Sequence, residues 1–153
     1  MDSISKTSNM TDTELLESLL KEAPKHIVVM WAGDCLEHAL TLCRYKDVHA
    51  TASLKATRDW VEGTMATDEA RKRALKAHER ARELTKTEHV YLLRASGHAA
   101  GTTQVKAHGI QCADYALKAV QVGKRSKRSL ERKWQLDTLS DYLDKKTSYK
   151  ERN

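Results

Sequence analysis

The segment HIVVMWAGDCLEHALTLCRY, residues 26–45, decides the fold class. Its apolar run IVVMW could also form a buried strand, because a short apolar run fits either element. The inward positions nevertheless recur at steps of three and four along the whole segment, which is the repeat of one helix face. These positions are Val28, Trp31, Cys35, His38, Leu42 and Tyr45. We therefore predict a long helix here.

Start and stop signals define two further helices in the N-terminal half. Thr11 and Glu14 have the spacing of a capping box, in which side chain and backbone bond reciprocally. A short amphipathic helix follows, and Pro24 is expected to end it. Another helix is predicted over residues 49–62, with Gly63 in a left-handed conformation just after it.

Helical patterns continue through the C-terminal half. Thr67 is expected to cap a helix whose alanines form a flat stripe that a neighbouring helix can approach closely. The stripe consists of Ala70, Ala74, Ala77 and Ala81. A segment over residues 88–122 is predicted to break or bend near Gly97 and Gly101, and the last helix spans 129–146. With no alternating strand pattern, the prediction is an all-α, single-domain bundle of about six helices.

The predicted domain occupies most of the chain. It covers residues 11–146, between a disordered segment 1–10 and a frayed tail 147–153. A basic connector at 123–129 leads into the terminal helix. The chain lacks a nucleotide-binding glycine loop, so we predict no cofactor.

The absence of targeting patterns and the cysteine content predict a cytoplasmic location. No apolar run approaches the roughly 20 residues that cross a bilayer, and the N-terminus lacks the basic-then-apolar order of a signal peptide. The cysteines, Cys35, Cys43 and Cys112, are odd in number and lie in amphipathic patterns. Buried, reduced thiols are the expected state.

The net charge of +6 is unevenly distributed. The segment KRSKRSLERK, residues 124–133, holds six basic residues against Glu131 alone. Its candidate basic patch consists of Lys124, Arg125, Lys127 and Arg128. Such a run can attract phosphate or an acidic protein surface. We interpret it as a solvated connector, since no aromatic residues interleave to stack on bases, and we do not expect nucleic acid as the partner.

Two histidines, His98 and His108, stand ten residues apart in ASGHAAGTTQVKAHGIQCADYALKAV, residues 95–120. On a continuous helix they share one inward face with small and apolar residues, namely His98, Gly101, Val105, His108, Cys112, Tyr115 and Ala119. Each glycine costs a helix roughly 1 kcal/mol relative to alanine. Tight packing is the expected compensation.

Histidines on such a face need hydrogen-bond partners, because an unsatisfied buried polar group costs about 1–3 kcal/mol. Polar residues on the other predicted inward faces can supply them. We therefore expect one internal polar network that links the second to the fifth helix. Its predicted members are Asp34, Arg58, His78, Arg82, His98 and His108.

Three interpretations of this network stay open. In the first, which we favour, it fixes the register of the helices. In the second it is a metal site, formed by His108 and Cys112 one turn apart with His78 or His98 as a further ligand. That pattern is weak, because no HExxH, paired Glu-x-x-His or CxxC accompanies it. In the third it is a small-ligand or catalytic pocket with histidine as acid or base, although no activated nucleophile is apparent and we name no catalytic residue.

Four segments carry a family resemblance: WAGDCLEHAL, ATRDWVEG, EARKRALKAHERARE and SGHAAGTTQVKAHGIQCADYALKA. In this order and spacing they resemble the putative immunity protein family over residues 27–122. The most specific elements are W-x-x-D-C at Trp31, Asp34 and Cys35, R-x-W at Arg58 and Trp60, A-H-x-x-A-R from Ala77 to Arg82, and G-H-A-A from Gly97 to Ala100. Residues 124–153 lie outside this resemblance.

The resemblance implies an all-helical bacterial protein that binds and neutralises a cognate toxin. Such a protein acts by occlusion and needs no catalytic residues. The inward histidines would then be scaffold, and outward-facing charges would form the working surface. The alternative function is a metal- or small-ligand-binding protein that uses the histidines, and a homodimer through the alanine-rich or terminal helix also stays open.

Overall fold

A computed structural model describes the backbone of residues 10–152 and the side chains of residues 10–145. Over this range the chain forms seven α-helices and no strand. They are α1 (Asp12–Glu22), α2 (Lys25–Cys43), α3 (Val48–Glu62), α4 (Thr67–Glu83), α5 (Thr87–Gly101), α6 (His108–Val122) and α7 (Arg128–Arg152). The all-α prediction is confirmed, and the predicted number of helices is one too low. Disorder is predicted for residues 1–10, of which residues 1–9 lie outside the described residues.

The additional helix arises because the segment 88–122 is divided into two helices. The predicted break near Gly101 is confirmed, whereas the helix continues without a break through Gly97. The hydroxyls of Thr102 and Thr103 donate to the carbonyls of Ala99 and Ala100 at 2.5 and 2.8 Å. Such local side-chain bonds compete with helical hydrogen bonding. The chain turns over residues 102–107 before α6 begins. The prediction that Val105 points inward is therefore wrong, and its side chain is 53% exposed.

Most of the predicted helix ends are confirmed. The amide of Glu14 donates to Thr11 Oγ1 at 3.1 Å, and the amide of Thr11 donates to Glu14 Oε1 at 3.2 Å, which completes the capping box. Pro24 separates α1 from α2 and directly precedes the second helix. Gly63 ends α3 with φ of 82°, a conformation that glycine adopts without steric cost.

The predicted cap at Thr67 is wrong. Ala66 occupies the cap position of α4 and makes no side-chain cap bond, while Thr67 is the first helical residue. The Thr67 hydroxyl instead accepts the indole N–H of Trp60 at 3.0 Å. This bond joins the end of α3 to the start of α4, so the hydroxyl serves a tertiary contact.

Helix α5 lies at the centre of the packing, in contact with α2, α3, α4 and α6. Helix α2 also packs against α3, α6 and α7, and α1 packs on α7. The four alanines of α4 are buried, as predicted, in small-residue clusters with α3 and α5. Because alanine adds little beyond the backbone, these helices can approach one another closely.

The core is centred on α2. Trp31 is fully buried, and its indole N–H donates to the carbonyl of Gln135 on α7 at 2.8 Å. The three cysteines are buried and unpaired, which confirms the predicted free thiols. Helix α7 continues to Arg152, past residue 146 where the prediction ended it. None of the described helices has the length and apolar character needed to cross a membrane.

Candidate functional site

Three helices bring one histidine each to a common cluster: His78 from α4, His98 from α5 and His108 from α6. The Nδ1 atoms of His98 and His108 lie 2.9 Å apart. The rings of His78 and His98 meet edge to face, with centroids 5.0 Å apart and an interplanar angle of 78°. All three side chains are half-buried. We call these three residues the histidine cluster.

Two glycines of α5 make room for the histidine cluster. A Cβ on Gly97 would lie 2.4 Å from His78 Nε2, and one on Gly101 would lie 3.2 Å from His108 Cδ2. The first distance is far below a van der Waals contact, so the ring of His78 rests directly on the α5 backbone. The helix-propensity cost of these glycines is thus offset by close packing of imidazole rings.

The hydrogen bonds of the cluster involve the Nδ1 atom of each of the three rings. Arg94 Nη1 donates to His78 Nδ1 at 2.9 Å. Because a guanidinium can only donate, this nitrogen of His78 is the acceptor, and its proton is on Nε2. Between His98 and His108, one Nδ1–H donates to the other Nδ1. The rings therefore bind one another and Arg94.

Burial keeps two of these histidines neutral at physiological pH. The pKa of His78 is lowered to about 4, first by burial and then by the positive charges of Arg94, His108 and Arg82. The pKa of His98 is also lowered to about 4, by burial and then by His78, His108 and Arg94. A general base works best with a pKa near the operating pH. Neither histidine meets that condition.

The predicted network is divided between two places. Asp34 and Arg58 form their own cluster, in which Arg58 Nη2 lies 2.7 Å from Asp34 Oδ1 and Arg58 Nη1 donates to the carbonyl of Met30 at 3.0 Å. The hydroxyl of Tyr142 on α7 donates to Asp34 Oδ2. This second cluster ties α2, α3 and α7 together. Arg82 is exposed and acts on His78 through its charge alone.

Cys112 does not face the histidine cluster. Its thiol is buried and donates to the carbonyl of Ala32 on α2 at 3.4 Å. Burial raises the pKa of this thiol well above its usual range. Among the side chains of residues 10–145, no three His, Cys, Asp or Glu residues are arranged to hold a metal ion. The metal alternative therefore gains no support from the geometry.

The basic connector between α6 and α7 is exposed at Lys124, Arg125, Lys127 and Arg128. Arg125 lies 3.5 Å from Oε1 of Glu88, a buried carboxylate near the start of α5. Lys124 has a left-handed backbone with φ of 56°. Arg125 thus places a positive charge beside the buried Glu88 carboxylate. The side chains of Lys124, Lys127 and Arg128 are exposed to solvent.

The sequence did not indicate two polar contacts that join helices. Arg94, the partner of His78, lies one turn before His98 on the same helix, and that spacing could have indicated it. His38 and Glu131 form the other contact, with Nδ1 and Oε2 2.7 Å apart. The His38 ring stacks on Trp134 at a centroid distance of 3.8 Å. This contact joins α2 to α7. Its two residues are far apart in the sequence, so no local sequence pattern could predict it.

These features define a class: an all-helical protein in which histidines and ion pairs join neighbouring helices. The chain belongs to the Imm-5 like putative immunity protein family, whose model matches residues 18–142. The predicted resemblance is confirmed, and the match also includes the basic connector and most of α7, which the resemblance left out. Comparisons with curated proteins and with solved structures gave no match.

The family motifs now have a structural interpretation. Trp31 and Asp34 of W-x-x-D-C bind α7 through Gln135 and Tyr142, and Arg58 of R-x-W binds Asp34. The histidines of the two remaining motifs form the histidine cluster. In this chain the motif residues are used mainly to join helices.

Proposed function

We propose that this chain is an immunity protein, which protects its host cell by binding a cognate toxin in a stoichiometric complex and catalyses no reaction. Membership of the immunity family over residues 18–142 is the observation that carries this proposal. The proposed site of action is the cytoplasm, where the buried free thiols would remain reduced.

The state of the histidine cluster supports a role without catalysis. Rings that bond to one another and to Arg94 stabilise the contacts of α4, α5 and α6. A protein that neutralises its target by occlusion needs such a rigid scaffold. Its affinity then comes from a few buried anchors and complementary charge.

Co-expression with a toxin tests the proposal. The probe is a candidate toxin, namely the C-terminal domain of any large secreted protein whose gene adjoins that of this chain, placed under an inducible promoter in a heterologous host. We expect the chain to restore colony counts to within about tenfold of uninduced cells. An unrelated helical protein of similar size and charge should give no protection. Undiminished killing at confirmed expression of the chain would contradict the proposal.

A further inference from the structure

We propose that the toxin is bound by one face of this molecule and that the toxin surface which it contacts is acidic. The face is formed by the outer sides of α4, α5 and α6, and we call it the cationic face. Its defining residues are Arg82, Tyr91, Arg94, Tyr115, Lys118 and Lys124. This inference rests on the proposed function and adds to it the position and chemistry of the interface.

A chain of contacts makes the cationic face continuous from α4 to α6. Arg94 binds His78, which contacts His98, and the ring of His98 stacks on Tyr115 with centroids 5.5 Å apart. The rings of Tyr115 and Tyr91 lie 6.0 Å apart. The face therefore crosses the histidine cluster, which supports it from below.

The face continues from these rings toward the basic connector. Lys118 Nζ lies 5.0 Å from the ring centroid of Tyr115 and 5.9 Å from that of Tyr91. A shallow depression of about 400 Å³ extends this surface, and it is lined by Tyr91, Lys118, Gln121, Val122 and Lys124. Val122 is 49% exposed, which adds an apolar element.

The positive charges of this face are not neutralised within the chain. Arg82, Lys118 and Lys124 are exposed, and Arg94 is half-buried. None of these four forms an ion pair with a described carboxylate. The cations that do pair with a described carboxylate all lie outside the defining residues of the face. The face thus presents positive charge that an acidic partner would neutralise.

Of the four nearby acids, three approach cations outside the defining residues of the face. Asp114, the neighbour of Tyr115, binds Arg132 on α7. Glu83, next to Arg82, approaches Arg80, with Oε1 and Nη1 3.8 Å apart. Glu88 on α5 is buried and approaches Lys86 and Arg125, and the exposed Glu79 pairs with none of the four cations. The positive character of the face is therefore retained although the same helices carry acids.

The residue types also match a protein interface. Tyrosine and arginine are enriched among the residues that dominate binding energy, because each combines a large contact area with hydrogen bonding. Here the cation–π contacts hold Lys118 over two tyrosine rings before any partner arrives. Such preorganisation reduces the entropy lost on binding.

The same contacts favour a protein partner over single-stranded nucleic acid. Base stacking requires open aromatic faces. The ring of Tyr115 is stacked on His98 and lies beneath Lys118, and Tyr91 also lies beneath Lys118. Less of the face of either ring is therefore open for a nucleic-acid base to stack on. An acidic protein surface needs only the charges and the ring edges.

Matched charge reversals test this inference. The test protein carries Lys118→Glu and Lys124→Glu, and the control carries Lys21→Glu and Lys145→Glu on α1 and α7. All four lysines are exposed, and both variants change the net charge equally. Circular dichroism melting should show both variants folded. Surface plasmon resonance then measures binding to the purified, catalytically inactive toxin domain from the co-expression assay at several salt concentrations.

We expect the test variant to bind at least tenfold more weakly, mainly through slower association, and the control to stay within about threefold of the natural chain. The affinity of the natural chain should fall with added salt. Equal binding by both variants would overturn the inference while leaving the proposed function intact. If the natural chain does not bind the toxin domain, the proposed function itself fails. Tight binding of the natural chain to duplex DNA or single-stranded RNA, lost only in the test variant, would assign the face to nucleic acid and overturn the inference.

Discussion

Replacing Trp31 with alanine is expected to lower the free energy of unfolding by about 3–5 kcal/mol, the cost typical of deleting a large buried aromatic side chain. Trp31 is fully buried in the core of α2, and its indole N–H binds the carbonyl of Gln135. The substitution removes the ring and leaves that carbonyl without its donor. A domain of this size has a total stability of about 5–15 kcal/mol, so the loss is a large fraction. Urea denaturation followed by circular dichroism measures it.

Trp60→Ala is the matched control, because it deletes the same side chain from the other tryptophan of the family motifs. Trp60 is half-buried and binds Thr67 at the junction of α3 and α4. We expect a loss of about 1–2 kcal/mol, smaller than that at Trp31. Equal losses at the two positions would contradict the assignment of Trp31 as the core anchor.

Acidification is expected to destabilise the fold between pH 6.5 and pH 4 through the histidine cluster. The pKa of His78 and the pKa of His98 fall to about 4 in the folded state, in both cases first because of burial. The charges of Arg94, His108 and Arg82 lower the pKa of His78 further, and those of His78, His108 and Arg94 lower the pKa of His98 further. In the unfolded chain both groups titrate near pH 6.5. The unfolded state therefore binds more protons in this interval, and stability is lost as the pH falls. At about 1.4 kcal/mol per pKa unit, each of the two groups should contribute on the order of 3 kcal/mol.

Denaturation at a series of pH values checks this expectation. The double variant His78→Gln and His98→Gln should be less stable at pH 7, since it disturbs the packing on Gly97, but its stability should fall less steeply below pH 6.5. The control His26→Gln, an exposed position on α2, should keep the slope of the natural chain. Comparing slopes removes the contribution of carboxylates that protonate in the same range. Parallel curves for the double variant and the natural chain would count against the depressed pKa values.

Local signals in the sequence predicted much of the fold. The capping box at Thr11, the left-handed Gly63 and the alanine stripe of α4 depend on neighbours within a few residues, and the structure confirms all three. Two local predictions, the helix cap at Thr67 and the inward side chain of Val105, are wrong. One is overridden by a tertiary contact and the other by hydrogen bonds that compete with the helix. The Thr67 hydroxyl binds Trp60, and the threonines after Gly101 bond to the preceding turn and so interrupt the helix.

The candidate site was harder to predict, because a periodic pattern shows which face a residue occupies but not which helix covers it. His78, His98 and His108 come together as residues on inward faces of three helices. Asp34 and Arg58 also bind each other directly, but the sequence did not indicate that α7 contacts this pair through the hydroxyl of Tyr142, which donates to Asp34. The contact of His38 with Glu131 depends on the same long-range placement.

The central claim is that this chain neutralises its toxin by forming a one-to-one complex. The most direct test is a titration of a fixed amount of toxin domain, at a concentration well above its dissociation constant, with increasing amounts of this protein while toxin activity is recorded. The account predicts a linear fall in activity that ends at one molar equivalent. Complete inhibition at a small fraction of an equivalent would indicate catalysis, and undiminished activity at several equivalents would indicate no neutralisation. Either result would contradict the account.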